Sequence, residues 1–505
     1  MNDTNTRTTA TLLGVGLFWC YVAFSSGSIS GQGYAGEEIK SGLSMLSRAT
    51  AWMKGQPLPP MVWSRHGALP VLFDLPFLKL GKLIVSPDFM LSFSPALFTA
   101  GLVTFLYLWL RKLCSPGMSL FLSLTAGFGT MLWPYAYIGL ETKQSFFIFL
   151  AGYLALADGK IRAWPRALLL AVVCGLALGL KATGITLAPV IAYLYYIQFR
   201  DNSGSERAKI LVSALIIAGI WYFSHWSTNA FWGPRGGGGT SLRPWLIDSP
   251  ISPFINLVGL FGSPAKGLFV YAPPLIASIY ALPRAYRKCR ELTIYAVLVT
   301  ACTLGFLVLL KYPADEVWGP RYLHLIIAPL TLCMGLAWPR FRWRSEGFAL
   351  VVLALLGLVI SSFGAFYYYG VRDFAMTEAS QNTLERISGD NDWNHILFNA
   401  RLFQVWLSNT NGAPVLWTPQ HIWVWVPPSD APPWKTVNLT KYCSPQSVVL
   451  RFWHAPKQGR AETVLAVYLA CLITGVFLLG CVVLRTIHEQ RTWTVKGEDG
   501  TFEAV

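Results

Sequence analysis

Apolar residues recur in about twelve blocks along the chain, and the loops between them carry basic residues at every second crossing. A helical span needs about 20 apolar residues. The blocks that fit are 10–28, 89–110, 117–137, 144–159, 167–180, 183–199, 210–227, 267–283, 292–310, 321–338, 347–368 and 463–484. The short pair around Lys181 also reads as one broken helix. This pattern predicts an all-α polytopic membrane protein with about 12 transmembrane helices.

The alternate loops hold Arg111 and Lys112; Lys160, Arg162 and Arg166; Arg200, Arg207 and Lys209; Arg284, Arg287, Lys288 and Arg290; Arg340, Arg342 and Arg344; and Arg485 and Arg491. All six sets fall on one side if both termini do. Short loops rich in Lys and Arg stay cytoplasmic, so both termini are expected inside a cytoplasmic (inner) membrane. The first block, Ala10 to Ser26, has the length of a signal peptide, but eleven more follow, and it is read as a retained helix.

Three larger segments then face outward: 29–88, 228–266 and 369–462. In the first, Ile39, Leu43, Leu46 and Met53 recur at helical spacing opposite Ser, Lys and Arg, which predicts a helix lying in the membrane interface. Leu69 to Ile84 holds Pro70, Pro76, Asp74, Lys79 and Lys82 and suits a second helix parallel to the membrane. The third segment is rich in Trp, Pro and Asn and too long for a connector, so a small mixed outer cap is expected there. The chain thus divides into a membrane module, 1–368, a cap, 369–462, and a last helix with its tail, 463–505.

Composition fits a chain dissolved in lipid: 54% of residues are hydrophobic and 13% charged, against roughly 25% charged in soluble domains. The net charge of +15 is absorbed by the inside loops and lacks the basic runs with interleaved aromatics of a nucleic-acid binder. Of nine cysteines only Cys443 falls in a long outer segment, so no disulfide framework arises. No Cys/His spacing fits a zinc site.

The remaining charges gather at outer edges. Glu37 and Glu38 open the amphipathic helix, either complementing its positive end or supplying a general base. Glu141 follows the third block and reads as a loop acid paired with Lys143 or as a marker of a polar cavity. Lys181 and Lys266 are snorkelling lysines or anion ligands. Arg321, in Trp318-Gly319-Pro320-Arg321-Tyr322, is a structural salt bridge or a fork for phosphate. Asp315 and Glu316 lie just upstream, where they would orient Arg321 or hold a divalent cation; no motif requires one. Trp393, Trp406, Trp417, Trp423, Trp425, Trp434 and Trp453 suit an interfacial aromatic belt and packed core, or stacking against acceptor sugars. A carboxylate facing several cations suits transfer from a phosphate-linked donor, with the base activating the acceptor and the cations stabilising the departing phosphate.

Several stretches resemble the GT-C superfamily of polyprenyl-phosphate-sugar-dependent glycosyltransferases, the aminoarabinose and mannosyl transferase group among them. They are the acids that open the first outer loop, Lys54-Gly55-Gln56-Pro57, the 257–273 segment with Gly262-Ser263-Pro264-Ala265-Lys266-Gly267-Leu268, and Gly319-Pro320-Arg321-Tyr322 with Pro329. The resemblance covers most of 10–370. It implies an inverting, extracytoplasmic glycosyltransferase of the cell envelope that moves a hexose or pentose from a polyprenyl-phosphate donor to a lipid, glycan or protein acceptor. Glu37 or Glu38 would stand where the superfamily carries Asp, and Glu141 where relatives carry an acid, which makes Glu37, Glu38 and Glu141 the expected catalytic residues. Lys181 would stand where Arg is commoner, and Arg321, Lys266 and Lys181 would bind donor phosphate. A polysaccharide polymerase or O-antigen ligase, and a lipid or oligosaccharide transporter, are the alternatives. A transporter would place its charges near mid-membrane.

Overall fold

The computed structural model describes residues 3–24, 33–60, 67–84, 87–136, 140–157, 164–200, 204–226, 251–263, 266–310, 318–340, 345–366, 396, 402, 421–425, 434–438 and 460–497. Helices dominate these residues. The first eight are α1 (Asp3–Phe24), α2 (Gly33–Met53), α3 (Ala68–Ile84), α4 (Pro87–Leu91), α5 (Phe93–Leu113), α6 (Pro116–Phe128), α7 (Leu132–Tyr135) and α8 (Leu140–Gly152). After them come α9 (Trp164–Gly179), α10 (Ala188–Phe199), α11 (Gly204–Trp226), α12 (Ser252–Gly262) and α13 (Leu268–Tyr271). The last five are α14 (Ile276–Lys288), α15 (Arg290–Leu307), α16 (Ile327–Ala337), α17 (Ser345–Phe366) and α18 (Arg460–Gly497).

Each of the twelve predicted blocks falls on a helix or on a helical pair. Among the described residues, six stretches are long and apolar enough to cross a membrane: Thr4–Phe24, Phe93–Leu113, Glu206–His225, Arg290–Leu307, Ser345–Phe366 and Ala466–Arg491. Other blocks are compound. Lys181 is extended, with φ −149° and ψ 141°, and breaks the chain between α9 and a 3₁₀ turn, Ala182–Leu187, that feeds α10. A second 3₁₀ turn, Arg321–Ile326, feeds α16, and a third, Pro273–Leu275, separates α13 from α14. The predicted broken helix around Lys181 is therefore present, and it has counterparts elsewhere.

Contacts sort the helix ends into two groups. At the basic end, Arg111 pairs with Glu489 at 3.0 Å, Arg200 with Glu291 at 3.2 Å and Arg284 with Glu346 at 3.1 Å, while Arg485 donates to the Asn5 side chain at 2.7 Å. These join loops and termini that the charge pattern places on one side. A separate set of contacts joins α8 to the 3₁₀ turns Ala182–Leu187 and Arg321–Ile326. Small residues bring the spans together: Gly475 of α18 lies against Cys20 and the Gly16 carbonyl of α1, the close backbone approach typical of helix pairs in lipid.

The first large loop forms a helical hairpin. Ile39, Leu43 and Leu46 of α2 pack with Leu78 of α3 and Leu91, as the apolar spacing predicts. Met53 departs from that face. It is the last residue of α2 and 72% exposed, because the chain turns away at Gly55, whose φ is +63°. Helix α3 runs through Pro76. Of the expected cap, a two-stranded antiparallel hairpin is described, β1 (His421–Trp425) against β2 (Trp434–Asn438), with Trp425 opposite Trp434 and Trp423 opposite Thr436. Trp393, Trp406, Trp417 and Trp453 lie outside the described residues.

A Cβ at Gly475 would stand 2.8 Å from the Cys20 amide nitrogen and 2.9 Å from the Gly16 oxygen, whereas nothing lies within 4 Å of one at Gly480 on the same helix. Gly475→Leu is expected to lower stability by about 1–3 kcal/mol, the usual cost of overpacking. Gly480→Leu should leave it unchanged. Thermal unfolding of the two purified variants in detergent separates them.

Candidate functional site

Helix α8 begins Leu140-Glu141-Thr142-Lys143-Gln144-Ser145, and residues 141–145 are all buried. Such a run is costly in an apolar bundle unless its polar groups find partners, and here four of the five side chains reach four different parts of the fold. Glu141 takes Lys181 Nζ on Oε1 at 2.7 Å, and Arg321 Nε lies 3.3 Å from the same oxygen. Lys143 Nζ donates to both carboxylate oxygens of Asp74 at 2.7 Å and to the Pro70 carbonyl at 3.4 Å. The Gln144 amide donates to the Ala177 carbonyl of α9 at 3.1 Å. Ser145 Oγ lies 2.8 Å from His324 Nδ1.

Helical periodicity explains the split. Residues 141 and 145 are four apart and share a face of α8, with 144 at the edge of that face, while 143 points to the opposite side. The 3₁₀ turn opposite has three residues per turn, so Arg321 and His324 also share a face. Two rungs result, Glu141 to Arg321 and Ser145 to His324. Gly319 makes the entry to this turn possible: its φ is +57°, and a Cβ there would lie 2.8 Å from the Tyr271 ring and 3.1 Å from Met131 Sδ. Trp318 is locked just before it. Its carbonyl accepts from Tyr135 Oη at 2.6 Å, and its ring packs edge-on against Tyr271 at 5.2 Å.

Tyr322 completes the arrangement. Lys181 Nζ stands 4.1 Å from its ring centroid and the Arg321 guanidinium 4.8 Å, and Arg321 Nη2 donates to its hydroxyl at 3.0 Å. Two cations are thus held by one carboxylate and one aromatic face. Their side chains are 12% and 5% exposed, that of Glu141 3%.

The predicted residues therefore divide. Glu141, Lys181 and Arg321, remote in sequence, meet in one cluster. The reading of Glu141 as a loop acid paired with Lys143 is corrected: positions 141 and 143 lie on different sides of α8, and Lys143 turns to Asp74. Lys181 is ion-paired instead of snorkelling. Lys266 sits half-buried in the turn between α12 and α13, five residues before the Tyr271 that packs on Trp318. Glu37 and Glu38 lie in the first turns of α2; their side chains are outside the described residues, as are Asp315 and Glu316. Among the described residues no group of three His, Cys, Asp or Glu could hold a metal ion, and no disulfide joins the described cysteines.

Sequence reasoning missed Asp74 as a partner, and also Ser145, Tyr322 and His324. His324 is fully buried, packs edge-on against Tyr135 at 5.9 Å, and its Nε2 has no hydrogen-bond partner among the described residues. The available signal was spacing: a cation and a histidine three apart opposite an acid and a serine four apart.

The chain is similar to ArnT from Cupriavidus metallidurans. That crystal structure, in the apo state, aligns over 97% of this chain and 77% of its own, with a TM-score of 0.45 and 12% identity. No family model matches the sequence, and no curated protein does.

Glu141→Gln would leave two buried cations facing each other. Breaking a buried pair in this way costs about 3–5 kcal/mol. The double variant Glu141→Gln/Lys181→Met, which removes one cation as well, is expected to recover at least half of the loss. Denaturant unfolding in micelles measures both. Equal losses in the single and double variants would show that the triad is not coupled.

Proposed function

We propose that the protein is a GT-C-type glycosyltransferase that moves a sugar from a polyprenyl-phosphate donor to an acceptor at the extracytoplasmic face of the cytoplasmic membrane, with inversion at the sugar carbon. The observation that supports this reading most directly is the pair of cations, Lys181 and Arg321, gathered on one oxygen of Glu141. The donor's phosphodiester carries one negative charge, and the leaving polyprenyl phosphate gains a second as the glycosidic bond breaks. Fixed cations in a water-poor site stabilise that increment without reorganising. The guanidinium adds a planar fork that matches two phosphate oxygens.

In this reading Glu141 organises the cations, since its Oε1 already takes both. The general base is Glu37 or Glu38 on α2, which removes the acceptor hydroxyl's proton as it attacks the sugar carbon. Lys266 is a further phosphate ligand from the turn before α13. An apolar hollow of about 400 Å³ lies between α9, α10 and α11, with Leu178, Ile185, Ile191, Tyr195, Ile217 and Trp221 in its wall. The positive-inside pattern of the loops supports cytoplasmic termini and an outward-facing site. The acceptor is a lipid, glycan or protein, and a divalent cation, if used, would fall to Asp315 and Glu316.

Purified protein in lipid nanodiscs, supplied with polyprenyl-phosphate sugars and a mixed envelope extract as acceptor, should release polyprenyl phosphate. Arg321→Ala should lower kcat by about 10²–10³, the usual loss on removing one transition-state donor. One of Glu37→Gln and Glu38→Gln should abolish turnover. Full turnover in both, and in the double variant, would remove the proposed base.

A further inference from the structure

The pair formed by Asp74 and Lys143 takes no part in the cation cluster, yet it is the most deeply buried ion pair among the described residues. The side chains are 1% and 3% exposed, and Lys143 Nζ bonds both carboxylate oxygens at 2.7 Å. Replacing such a pair by apolar residues of similar size is often neutral or stabilising, so stability alone accounts poorly for its presence. Its position is more informative. Asp74 lies on α3, in the first large loop, and Lys143 lies on α8, two residues after Glu141 and two before Ser145.

The other contacts between α3 and the bundle are less directional. Phe73 packs against Phe98 at 5.4 Å and Phe147 at 5.3 Å, and the Leu69 amide reaches Ser224 Oγ at a long 3.5 Å. Ring packing tolerates sliding and rotation, because apolar burial has no preferred direction. A two-oxygen, charge-assisted contact does not. Helix α3 in turn holds α2 through Leu78, Ile39, Leu43 and Leu46, with Gly42 letting the two helices close on Leu78. Glu37 and Glu38 are on α2.

We infer that Asp74 and Lys143 are positioning residues that fix the α2–α3 hairpin against the N-terminal turn of α8, and so set the distance between the base carried by the hairpin and the Glu141–Lys181–Arg321 cluster. This rests on the glycosyl-transfer reading for its chemical consequence, although the latch itself is a structural claim. Glu141 and Lys143 leave α8 in different directions, so one helical turn ties both halves of the site together.

The test uses the full chain in nanodiscs and three variants: Asp74→Asn, the apolar Asp74→Leu/Lys143→Met, and the exchanged Asp74→Lys/Lys143→Asp. Melting temperature, hydrogen exchange over residues 33–84, and kcat and KM for a polyprenyl-phosphate sugar are read for each. The apolar variant should keep the parent melting temperature, while amides of the hairpin exchange at least tenfold faster and kcat falls at least tenfold with KM within twofold. The exchanged pair should recover rate and protection above the Asp74→Asn level. Parent-like exchange and kcat in the apolar variant would overturn the inference. So would a rate loss that only follows a fall in melting temperature. If the parent transfers no sugar from any donor, the glycosyl-transfer reading fails, and the exchange measurement still decides the latch.

Discussion

A carboxylate withdrawn from water inside an apolar bundle loses several kcal/mol of hydration even after the protein relaxes around it. Glu141 is in that situation, 3% exposed at the start of a helix surrounded by Phe, Leu and Trp. The surroundings are arranged to answer it. Lys181 reaches Oε1 from an extended residue between two helices, and Arg321 reaches the same atom from a 3₁₀ turn that only a left-handed Gly319 permits. The helix itself contributes, since an acid in a first turn faces the positive end of its dipole. Once this carboxylate is buried, the break at Lys181, the turn at Gly319 and the placement of Tyr322 follow as conditions for keeping it charged.

That requirement also explains why the elements that meet at Glu141 are irregular while the longer spans are plain helices. Regular helices satisfy their own backbone groups and present only side chains, with neighbouring axes about 8–10 Å apart. Bringing side chains from α8, the 181 break and the 321 turn to one point needs shorter and sharper elements. Backbone that departs from the α-helix at membrane depth is tolerated where protein or a polar cavity surrounds it. At the basic end no such convergence is needed: Arg200 with Glu291 and Arg284 with Glu346 are exposed pairs, roughly half accessible, and worth about 0–1 kcal/mol each. Arg111 with Glu489 is more deeply buried, and it ties α5 to α18.

Much of this was legible from hydropathy and charge. The twelve apolar blocks all coincide with helices, because lipid-facing and core-facing residues alike must be apolar and the signal is redundant over about 20 positions. The amphipathic helix of the first loop was visible for the same reason, apart from Met53, whose exposure depends on where α2 stops. The cluster was legible only as three suspicious charges. Which acid meets which cation is a matter of helix phase and of tertiary contact between residues far apart in the chain, such as Glu141 with Lys181 and with Arg321. Asp74 was hidden by its neighbours: with Lys79 and Lys82 nearby and two prolines around it, the segment looked like an exposed interfacial piece. His324 was hidden because a histidine in an apolar block carries no periodic signal.

The local pairing that sequence proximity suggested, Glu141 with Lys143, fails for a reason that organises the whole site. Residues two apart on an α-helix are separated by about 200° around the axis, so these two cannot meet without unwinding the first turn. Opposite charges two apart therefore act as two anchors directed to two partners. Glu141 commits one side of α8 to Lys181 and Arg321, and Lys143 commits another to Asp74. Gln144, about 60° round the axis from Glu141, holds the Ala177 carbonyl of α9. A helix tied by directional contacts on opposite sides of its axis resists rotation and sliding, which is the condition a site needs if groups from a peripheral hairpin and from the bundle core are to keep a fixed separation. The polar five-residue run at the start of α8 is thus better understood as the joint of the molecule than as an interruption of a span.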